Sequence, residues 1–317
     1  MAAIESRIPG ISSPDCPRLS LSKRATVLSH VSQCSRKSFT PFSRAALILG
    51  HPGHELKVLG WLSEYSPFVY VVTDGGGRHG VSRVPSTAAL VTEFGGQLGD
   101  VFGCVSDAAI YYAMLYKDIS FFLELVDRIA ASLIEHRIDF VAGDAAEGFN
   151  PTHDICRAMI NAAVTMVRAA VSRRIANYEF SLTEWEQRGP EEHNQQCVHL
   201  RLDDSLLCRK LLAAEGYVEL REEVRRALAQ RGREYFRIEC LRETAEPGMP
   251  QQDSPKPYYE TWGEKRISEG KYTAVIRFRE HILPITDEIF RYALRTPPGR
   301  PYRSVQPNSA PMVSGYE

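Results

Sequence analysis

From Ala45 onward, short segments that are apolar on both faces alternate with segments whose apolar residues recur at helical spacing. Ala45–Leu49 and Phe68–Val72 have the character of buried strands, and Leu56, Leu59 and Leu62 lie between them at three-residue steps. A strand that buries both faces needs cover on both sides of its sheet, and helices that connect parallel strands provide that cover. The alternation therefore predicts an α/β fold built on a parallel sheet.

Later segments extend this pattern over most of the chain. The predicted elements that follow are a helix over 87–94 capped by Ser86, a strand Val101–Val105, a helix Ala109–Glu135, a strand Asp139–Asp144, a helix Asp154–Val171, a strand Tyr178–Leu182, two helices over Asp204–Ala229 broken at Gly216, a strand Tyr235–Cys240 and a C-terminal helix. We therefore expect a Rossmann-like, mostly parallel sheet flanked by helices, with additional C-terminal elements.

The length and composition are those of a globular protein. Of the 317 residues, 44% are hydrophobic and 24% are charged, which suffices to bury one large core, and we place that domain at residues 45–296. The formal net charge of -1 argues against nucleic acid as a partner, because domains that bind it usually carry a basic excess. No apolar stretch approaches the roughly 18 to 20 residues that span a bilayer, so we expect no stable membrane insertion. The expected partner is a small-molecule substrate, and a homo-oligomer remains open.

The two ends of the chain differ from its middle. Residues 1–44 are basic and rich in serine, with Glu5 and Asp15 as their only acidic residues, and they have no sustained periodicity. We interpret them as a disordered extension, with an organellar transit peptide as the alternative. Residues 297–317 are expected to be a flexible tail.

Cysteine usage favours a reducing compartment. The seven cysteines lie at positions 16, 34, 104, 156, 197, 208 and 240, without a CxxC pair or a dense framework. An odd, scattered set in a chain of this length is typical of reduced thiols, which predicts a cytoplasmic protein.

Histidines follow two of the predicted buried strands. The strand Ala45–Leu49 leads into His51 and His54, and the strand Asp139–Asp144 leads through a loop into His153. The carboxyl ends of parallel strands meet at one edge of a sheet, where ligands of α/β proteins bind. Catalytic zinc sites use about three nitrogen or oxygen ligands and leave one position open. We therefore predict a Zn²⁺ site made by these three histidines.

Carboxylates and amides at the same edge are candidates for proton transfer. Asp74 follows the second strand, and Asp144 ends the strand that leads to His153, which makes Asp144 our first choice as a general base. Its alternative role is loop capping. Glu147 and Asp154 are further candidates, while Asn150 could donate a hydrogen bond to a developing oxyanion.

A glycine-rich loop follows the second strand. The segment GGGRHG begins at Gly75, and Arg83, just beyond it, is a candidate for binding an anionic part of the substrate, with a solvated arginine as the alternative. The loop lacks the G-x-G-x-x-G arrangement and does not follow the first strand, so the pattern disfavours a dinucleotide site.

These motifs and their order resemble those of the PIG-L or LmbE-like zinc N-deacetylases. The order is a strand, HPGHE at His51–Glu55, a strand ending in Thr73-Asp74-Gly75, a long helix, and a strand leading to NPTH at Asn150–His153. The resemblance covers roughly residues 45–175. In that family the corresponding motifs are AHPDDE and HPDH, and the resemblance implies that His51, His54 in place of an aspartate, and His153 are the zinc ligands.

The chain departs from the family pattern at positions that the family uses for proton transfer. The family's general base, the first aspartate of its motif, is replaced by Gly53, and the first histidine of HPDH is replaced by Asn150. Three hypotheses therefore compete: a zinc-dependent amidohydrolase that removes an acyl group from the amine of a sugar-like or small biosynthetic substrate, a zinc enzyme of the same fold with different chemistry, and a non-catalytic member.

Overall fold

Runs of apolar residues form the strands of one sheet in the computed structural model, which describes residues 43–77, 80–183, 197–244 and 256–296. The strands are β1 (Ala45–Leu49), β2 (Phe68–Thr73), β3 (Gln97–Val105), β4 (Phe140–Asp144), β5 (Ala176–Phe180), β6 (Cys197–Arg201) and β7 (Ile238–Glu243). Their order is β3-β2-β1-β4-β5-β7-β6. Strands β1 to β5 pair in parallel, and β7 pairs antiparallel to both β5 and β6. The predicted mostly parallel α/β sheet is thus confirmed.

Helices cover both faces of the sheet. In the described residues they are α1 (Leu59–Tyr65), α2 (Val84–Glu93), α3 (Asp107–Tyr116), α4 (Ile119–Glu135), α5 (Pro151–Val171), α6 (Asp204–Gly216), α7 (Arg221–Arg231), α8 (Tyr258–Ser268) and α9 (Leu283–Arg295). Ile48 of β1 packs in one apolar cluster with residues of α4, α5 and α9. Leu47 belongs to a second cluster with residues of α1 and α2 on the opposite face. Alternate residues of the same strand are therefore buried in different layers, which explains its continuous apolar run.

The strand order places a crevice beside β1. The chain passes from β1 to β2 and β3 on one side, and then returns to β4 and β5 on the other side. Adjacent crossovers leave the sheet in opposite directions at this point, and ligands of open α/β sheets bind at such positions. The carboxyl ends of β1 and β4 are thus the expected location for a site.

The long helix predicted over Ala109–Glu135 is wrong in one respect, because two helices occupy this region. Lys117 ends α3 with a φ of 52°. Asp118 then begins α4, and its side chain accepts a hydrogen bond from the amide of Phe121. An aspartate at a helix N-cap stabilises a new helix start, and apolar spacing alone does not register that break.

Helix α2 begins earlier than predicted. It starts at Val84 with Pro85 in its first turn, so Ser86 is an internal residue and not the cap. The hydroxyl of Ser86 instead donates to the carboxylate of Glu219, at 2.9 Å from either oxygen. A proline is well tolerated in the first helical turn because its missing N–H has no partner there.

The C-terminal region adds the antiparallel edge. The predicted break at Gly216 is present between α6 and α7, but Tyr235 lies in a 3-10 turn (Arg233–Arg237), and β7 starts after it. Strand β6 was not predicted. Glu239 of β7 accepts hydrogen bonds from the amides of Gly60 and Trp61 at 2.8 and 2.7 Å, so this addition is anchored to α1.

All described residues fall within one compact unit. The extension predicted over 1–44 lies outside them except for its last two residues, and the tail predicted over 297–317 lies entirely outside them. None of the helices in the described ranges combines the length and apolar character required to cross a membrane.

Candidate metal centre

The carboxyl ends of β1, β2 and β4 are tied together by hydrogen bonds of the first loop. Gly50, which follows β1, accepts from the amide of Thr73 at 3.0 Å and donates its own amide to Asp144 Oδ2 at 2.7 Å. A glycine fits here because a Cβ would lie 3.1 Å from that carboxylate oxygen. The next residue, His51, is therefore held directly above the edge of the sheet.

The three histidines of the two motifs lie next to one another. The ring centroids of His51 and His54 are 5.3 Å apart, those of His51 and His153 are 5.2 Å apart, and those of His54 and His153 are 4.6 Å apart. Each pair of rings is close to perpendicular, and His51 and His153 are each 6% exposed. Residues 51, 54 and 153 thus form one largely buried cluster, named the histidine cluster below.

Hydrogen bonds from β2 and α3 orient the first histidine. His51 Nδ1 lies 2.7 Å from Thr73 Oγ1 and 3.1 Å from Asp107 Oδ1. Burial lowers the pKa of His51, which favours the neutral ring. Burial raises the pKa of Asp107, but the hydrogen bond from His51 and its charge outweigh this effect, so the net pKa is well below its usual range. The Asp107 carboxylate therefore stays ionised and accepts from Nδ1 of His51. The lone pair of the neutral ring then lies on Nε2.

Asp107 was missed by the sequence analysis. It is the first residue of α3 and comes two residues after β3 ends, at the same edge of the sheet as Asp74, which directly follows β2. The helix predicted from Ala109 begins two residues too late, so the pattern gives no sign that Asp107 starts a helix at the sheet edge.

Asp144 orients the second histidine from beneath. His54 Nδ1 lies 2.8 Å from Asp144 Oδ2, and Asp144 is completely buried. Burial raises the pKa of Asp144, but the charge of His54 and its hydrogen bond outweigh this and lower the pKa to about 2. A carboxylate that holds one nitrogen of a histidine is the usual partner of a metal-ligating imidazole, because it sets the tautomer and increases the basicity of the ring.

Several buried polar atoms of the cluster have no hydrogen-bond partner in the described structure: His51 Nε2, His153 Nδ1 and Asp144 Oδ1. Leaving such a group unsatisfied costs roughly 1–3 kcal/mol, so native proteins rarely do so without a reason. Burial also lowers the pKa of His153 well below its usual value, and neutral imidazole is the form that binds metals. Buried, neutral imidazoles in adjacent rings are therefore of the donor type that suits a zinc ion.

Asp74 and Asn150 organise the backbone around the cluster. Asp74 Oδ1 accepts from the amides of Gly76 at 2.9 Å and Asp107 at 3.1 Å. Asn150 caps α5, because its Oδ1 accepts from the amide of Thr152 at 2.9 Å. Both residues lie at the same edge as the histidine cluster, and their side-chain oxygens are engaged with backbone amides.

Arg83 packs against the glycine loop. Its Nε donates to the carbonyl of Gly75 at 2.8 Å, and its backbone amide donates to the carbonyl of Asp74 at 2.9 Å. Gly75 has a φ of 66°, and a Cβ there would lie 2.6 Å from Arg83 Nε. The guanidinium is thus packed against the loop and partly buried at the site edge.

Gly53 has a backbone conformation that favours glycine. Its φ is 102°, and a Cβ at this position would lie 2.3 Å from Leu220 Cδ1. Its amide donates to Glu55 Oε2 at 2.8 Å, and Glu55 also accepts from the hydroxyl of Thr87 at 2.6 Å. Glu55 is fully buried, which raises its pKa, and the sequence analysis did not recognise this bracing role.

The two remaining candidate bases are bound to loops. Glu147 accepts from the amide of Leu182 at 3.1 Å and from the hydroxyl of Thr183 at 2.8 Å. Asp154 accepts from the amides of Glu147 and Gly148, at 3.0 and 3.1 Å. Burial raises the pKa of Asp154 to about 6. Both carboxylates stabilise the loop between β4 and α5, while Asp144 directly contacts the histidine cluster.

Comparisons with known proteins give only a structural likeness. No protein-family model and no curated protein matches the sequence. Similar solved structures include a triple mutant of a deacetylase of the teicoplanin biosynthetic pathway, with 14% identity and a TM-score of 0.46, and the zinc-inhibited form of the teicoplanin deacetylase Orf2, with 13% identity and a TM-score of 0.45. Each alignment covers 67% of this chain and all of the other. A similarity of this degree assigns no activity to the chain.

Proposed function

We propose that the protein is a zinc-dependent hydrolase that cleaves an amide bond, by removing an acetyl or other acyl group from an amine. The observation that carries the proposal is the histidine cluster, in which three largely buried rings from the segment after β1 and the first turn of α5 adjoin one another and leave buried nitrogens without partners among the described residues. His51, His54 and His153 would hold the ion. Bound zinc supplies Lewis acidity, which polarises a carbonyl group and makes water more acidic.

Two carboxylates would keep the ligands in their reactive form. Asp107 accepts from Nδ1 of His51, and Asp144 accepts from Nδ1 of His54, so each ring presents its Nε2. Fixed tautomers reduce the reorganisation that metal binding requires. In this proposal Asp107 is a positioning residue.

We assign proton acceptance to Asp144. Its Oδ2 is occupied by His54 and Gly50, whereas Oδ1 is buried with no hydrogen-bond partner among the described residues. A pKa lowered to about 2 keeps the carboxylate ionised at neutral pH but makes it a weak base, so proton transfer to Oδ1 would depend on the zinc ion making the attacking water more acidic. This assignment accounts for a chain in which Gly53 has no side chain that can transfer a proton.

Asn150 and Arg83 would contact the substrate. Asn150 Oδ1 caps α5, and its side-chain amide, beside the hydroxyl of Tyr111, would donate to the oxyanion, a contact worth roughly 3 kcal/mol in comparable sites. The Arg83 guanidinium at the rim supplies positive charge for an anionic substituent. Asp74 would act by holding the loop and the amide of Asp107 in place.

Exposed aromatic rings beside the loop between β4 and α5 favour a substrate with a flat face, such as a sugar or another small cyclic biosynthetic intermediate. Phe149, which precedes Asn150, stacks on Tyr258 with ring centroids 5.2 Å apart, and Tyr258 stacks on Trp262 at 6.2 Å. The three residues are 41% to 51% exposed. Apolar faces at a rim can pack against the C–H face of a ring and leave its hydroxyl groups in water.

A second candidate function is zinc-dependent chemistry other than deacylation. It is favoured by the presence of Gly53 and Asn150 at positions where the resembling family has proton-transferring side chains. Acetate release distinguishes the two, because only deacetylation produces acetate from an N-acetyl amine. A non-catalytic chain would bind zinc at the cluster and release no product from any substrate.

The deciding experiment combines metal content with hydrolysis. Zinc is quantified by elemental analysis in the wild type, in the double variant His51→Ala/His153→Ala, and in the control His136→Ala, which changes a histidine stacked on Phe68 away from the cluster. The double variant should lose about one zinc per chain and all acetate release from N-acetylated amino sugars, and the control should lose neither. Equal zinc in all three proteins would overturn the proposal.

A further inference from the structure

A second group of metal-ligating side chains lies at the far edge of the sheet. Cys197, His199 and Cys240 are placed so that one ligand atom from each lies within 4.8 Å of the others. Cys197 and His199 are two residues apart on β6, so they project from the same face of the strand. Cys240 of β7 is the register partner of His199 and shares that face. These three residues are named the thiol cluster.

The thiol cluster is separate from the histidine cluster. The sheet register aligns Gly143 of β4 with Glu179, Glu179 with Arg242, and Arg242 with Cys197. Cys197 is thus three strands away from β4, which corresponds to about 14 Å at about 4.8 Å per strand. An ion at one cluster cannot share ligands with the other.

The register favours a metal ion over a disulfide between the two cysteines. Cys197 pairs with Arg242, and Cys240 pairs with His199, so the cysteines are diagonal neighbours. Diagonal Cβ atoms are typically about 7–8 Å apart or somewhat less, whereas a disulfide needs about 3.8 Å. An ion bound at about 2.3 Å from each sulfur spans this larger gap, and the imidazole opposite Cys240 supplies a third ligand.

The chemistry and exposure of the ligands suit zinc. Thiolate and imidazole together select thiophilic ions such as Zn²⁺ over Mg²⁺ or Ca²⁺. His199 is exposed, and both cysteines are partly exposed, so an ion can enter without unfolding the sheet. The cysteines are not joined in disulfides.

We propose that Cys197, His199 and Cys240 bind a zinc ion that joins the edge strand β6 to β7. Two thiol protons are released to solvent as the two Zn–S bonds form, and the fourth coordination position faces water. The ion cross-links a strand that, among the described residues, lies at the edge of the sheet. Its role is structural, and it is independent of the proposed hydrolysis at the histidine cluster.

Cobalt substitution tests this site directly. Co²⁺ bound by thiolate gives an intense near-ultraviolet charge-transfer absorption, which an all-histidine site does not. We expect this band in the wild type and in His51→Ala/His153→Ala, and its loss in Cys240→Ser. Cys208→Ser is the matched control, because Cys208 lies on α6 with similar partial exposure. Absence of the band from the wild type, or its persistence in Cys240→Ser, would overturn the proposal.

Cysteine alkylation of the wild-type protein tests the thiol cluster without relying on variants, which could fail to fold. Zinc should protect Cys197 and Cys240 from alkylation, as read by mass spectrometry, and leave exposed Cys104 reactive. Equal alkylation of Cys197 and Cys240 with and without zinc, or a disulfide between them in the purified protein, would contradict the site. Zinc content separates the two clusters. The double histidine variant should lose only the zinc of the histidine cluster, and Cys240→Ser should lose only the zinc of the thiol cluster.

Discussion

At the scale of single residues, the candidate metal centre depends on which nitrogen of each histidine ring is hydrogen-bonded to a neighbouring side chain. Asp144 binds Nδ1 of His54, and Asp107 with Thr73 binds Nδ1 of His51. Asp144 ends the adjacent strand β4 and Asp107 begins α3, so these two rings are oriented by groups from separate elements. Burial disfavours the charged ring and the hydrogen bond to Nδ1 fixes the tautomer, so His51 stays neutral with Nε2 as its metal-binding atom.

Replacing the carboxylate beneath the cluster should weaken zinc binding. We expect Asp144→Asn to lower zinc affinity by about 10- to 100-fold, because an amide increases the basicity of the His54 ring less than a carboxylate does. Asp139→Asn, at a partly exposed residue paired with Arg173, is the control and should leave the affinity unchanged. Competition with a chromogenic chelator measures both, and an affinity unchanged in Asp144→Asn would remove the orienting role.

Placing a carboxylate at position 53 should destabilise the fold and should not raise activity. We expect Gly53→Asp to lower the free energy of unfolding by at least about 1–3 kcal/mol, because its φ is 102° and its Cβ would lie 2.3 Å from Leu220 Cδ1. Gly53→Ala should show a similar loss. The control Gly216→Ala should be neutral, since a Cβ there meets nothing within 4 Å. Urea unfolding tests all three, and a stable Gly53→Asp with raised activity would refute this expectation.

At the scale of elements, helix boundaries determine which polar residues reach the site. The break at Lys117 and Asp118 separates α3 from α4. It allows α3 to begin at Asp107, beside His51, while α4 packs along the sheet. A continuous helix from the same residues would have the same apolar spacing, so spacing alone could not distinguish these arrangements.

The cap of α4 should make a measurable contribution to stability. Asp118→Ala removes the acceptor for the amide of Phe121, and we expect the free energy of unfolding to fall by about 1 kcal/mol. Glu124→Ala, at an exposed position within α4, should change it by less than about 0.5 kcal/mol. Equal effects of the two substitutions in urea titrations would mean that the cap does not stabilise the break.

At the scale of the whole molecule, a buried ion pair joins the C-terminal addition to the parallel sheet. Lys210 of α6 donates to Glu239 of β7 at 2.8 Å and also to the carbonyl of Lys57. Glu239 in turn accepts from the amides of Gly60 and Trp61 in the first turn of α1, which lie 179 and 178 residues earlier in the chain. These contacts hold α6 and β7 against the helix that follows the HPGHE loop.

Breaking this pair from one side should be costly. Lys210→Met leaves a buried carboxylate without its counter-ion, and we expect a loss of about 3–5 kcal/mol. Adding Glu239→Gln should recover part of that loss. Arg225→Met, in an exposed pair with Glu222, should cost less than about 1 kcal/mol. Thermal and urea unfolding measure the series, and similar losses from Lys210→Met and Arg225→Met would contradict the anchoring role.

Much of the sheet could be predicted because local apolar patterns report burial on both faces. The same reasoning correctly places β1, β2 and β4, whose residues face two helical layers. It misses β6, where only alternate residues pack against the core, and it places the start of β7 three residues too early. Edge strands have one solvated face, so their sequence signal is weaker than that of central strands.

By itself, the sequence determined the fold class and the placement of His51, His54 and His153 after strands. Apolar runs and the turn residues that end them are patterns within short segments of the chain, so they can be read locally. Only the tertiary structure decided which groups meet: Asp107 at His51, Asp144 beneath His54, and Cys240 opposite His199. These contacts join residues that are distant in the chain, and their geometry depends on strand order and register. No local pattern encodes a distance between atoms that only packing brings together.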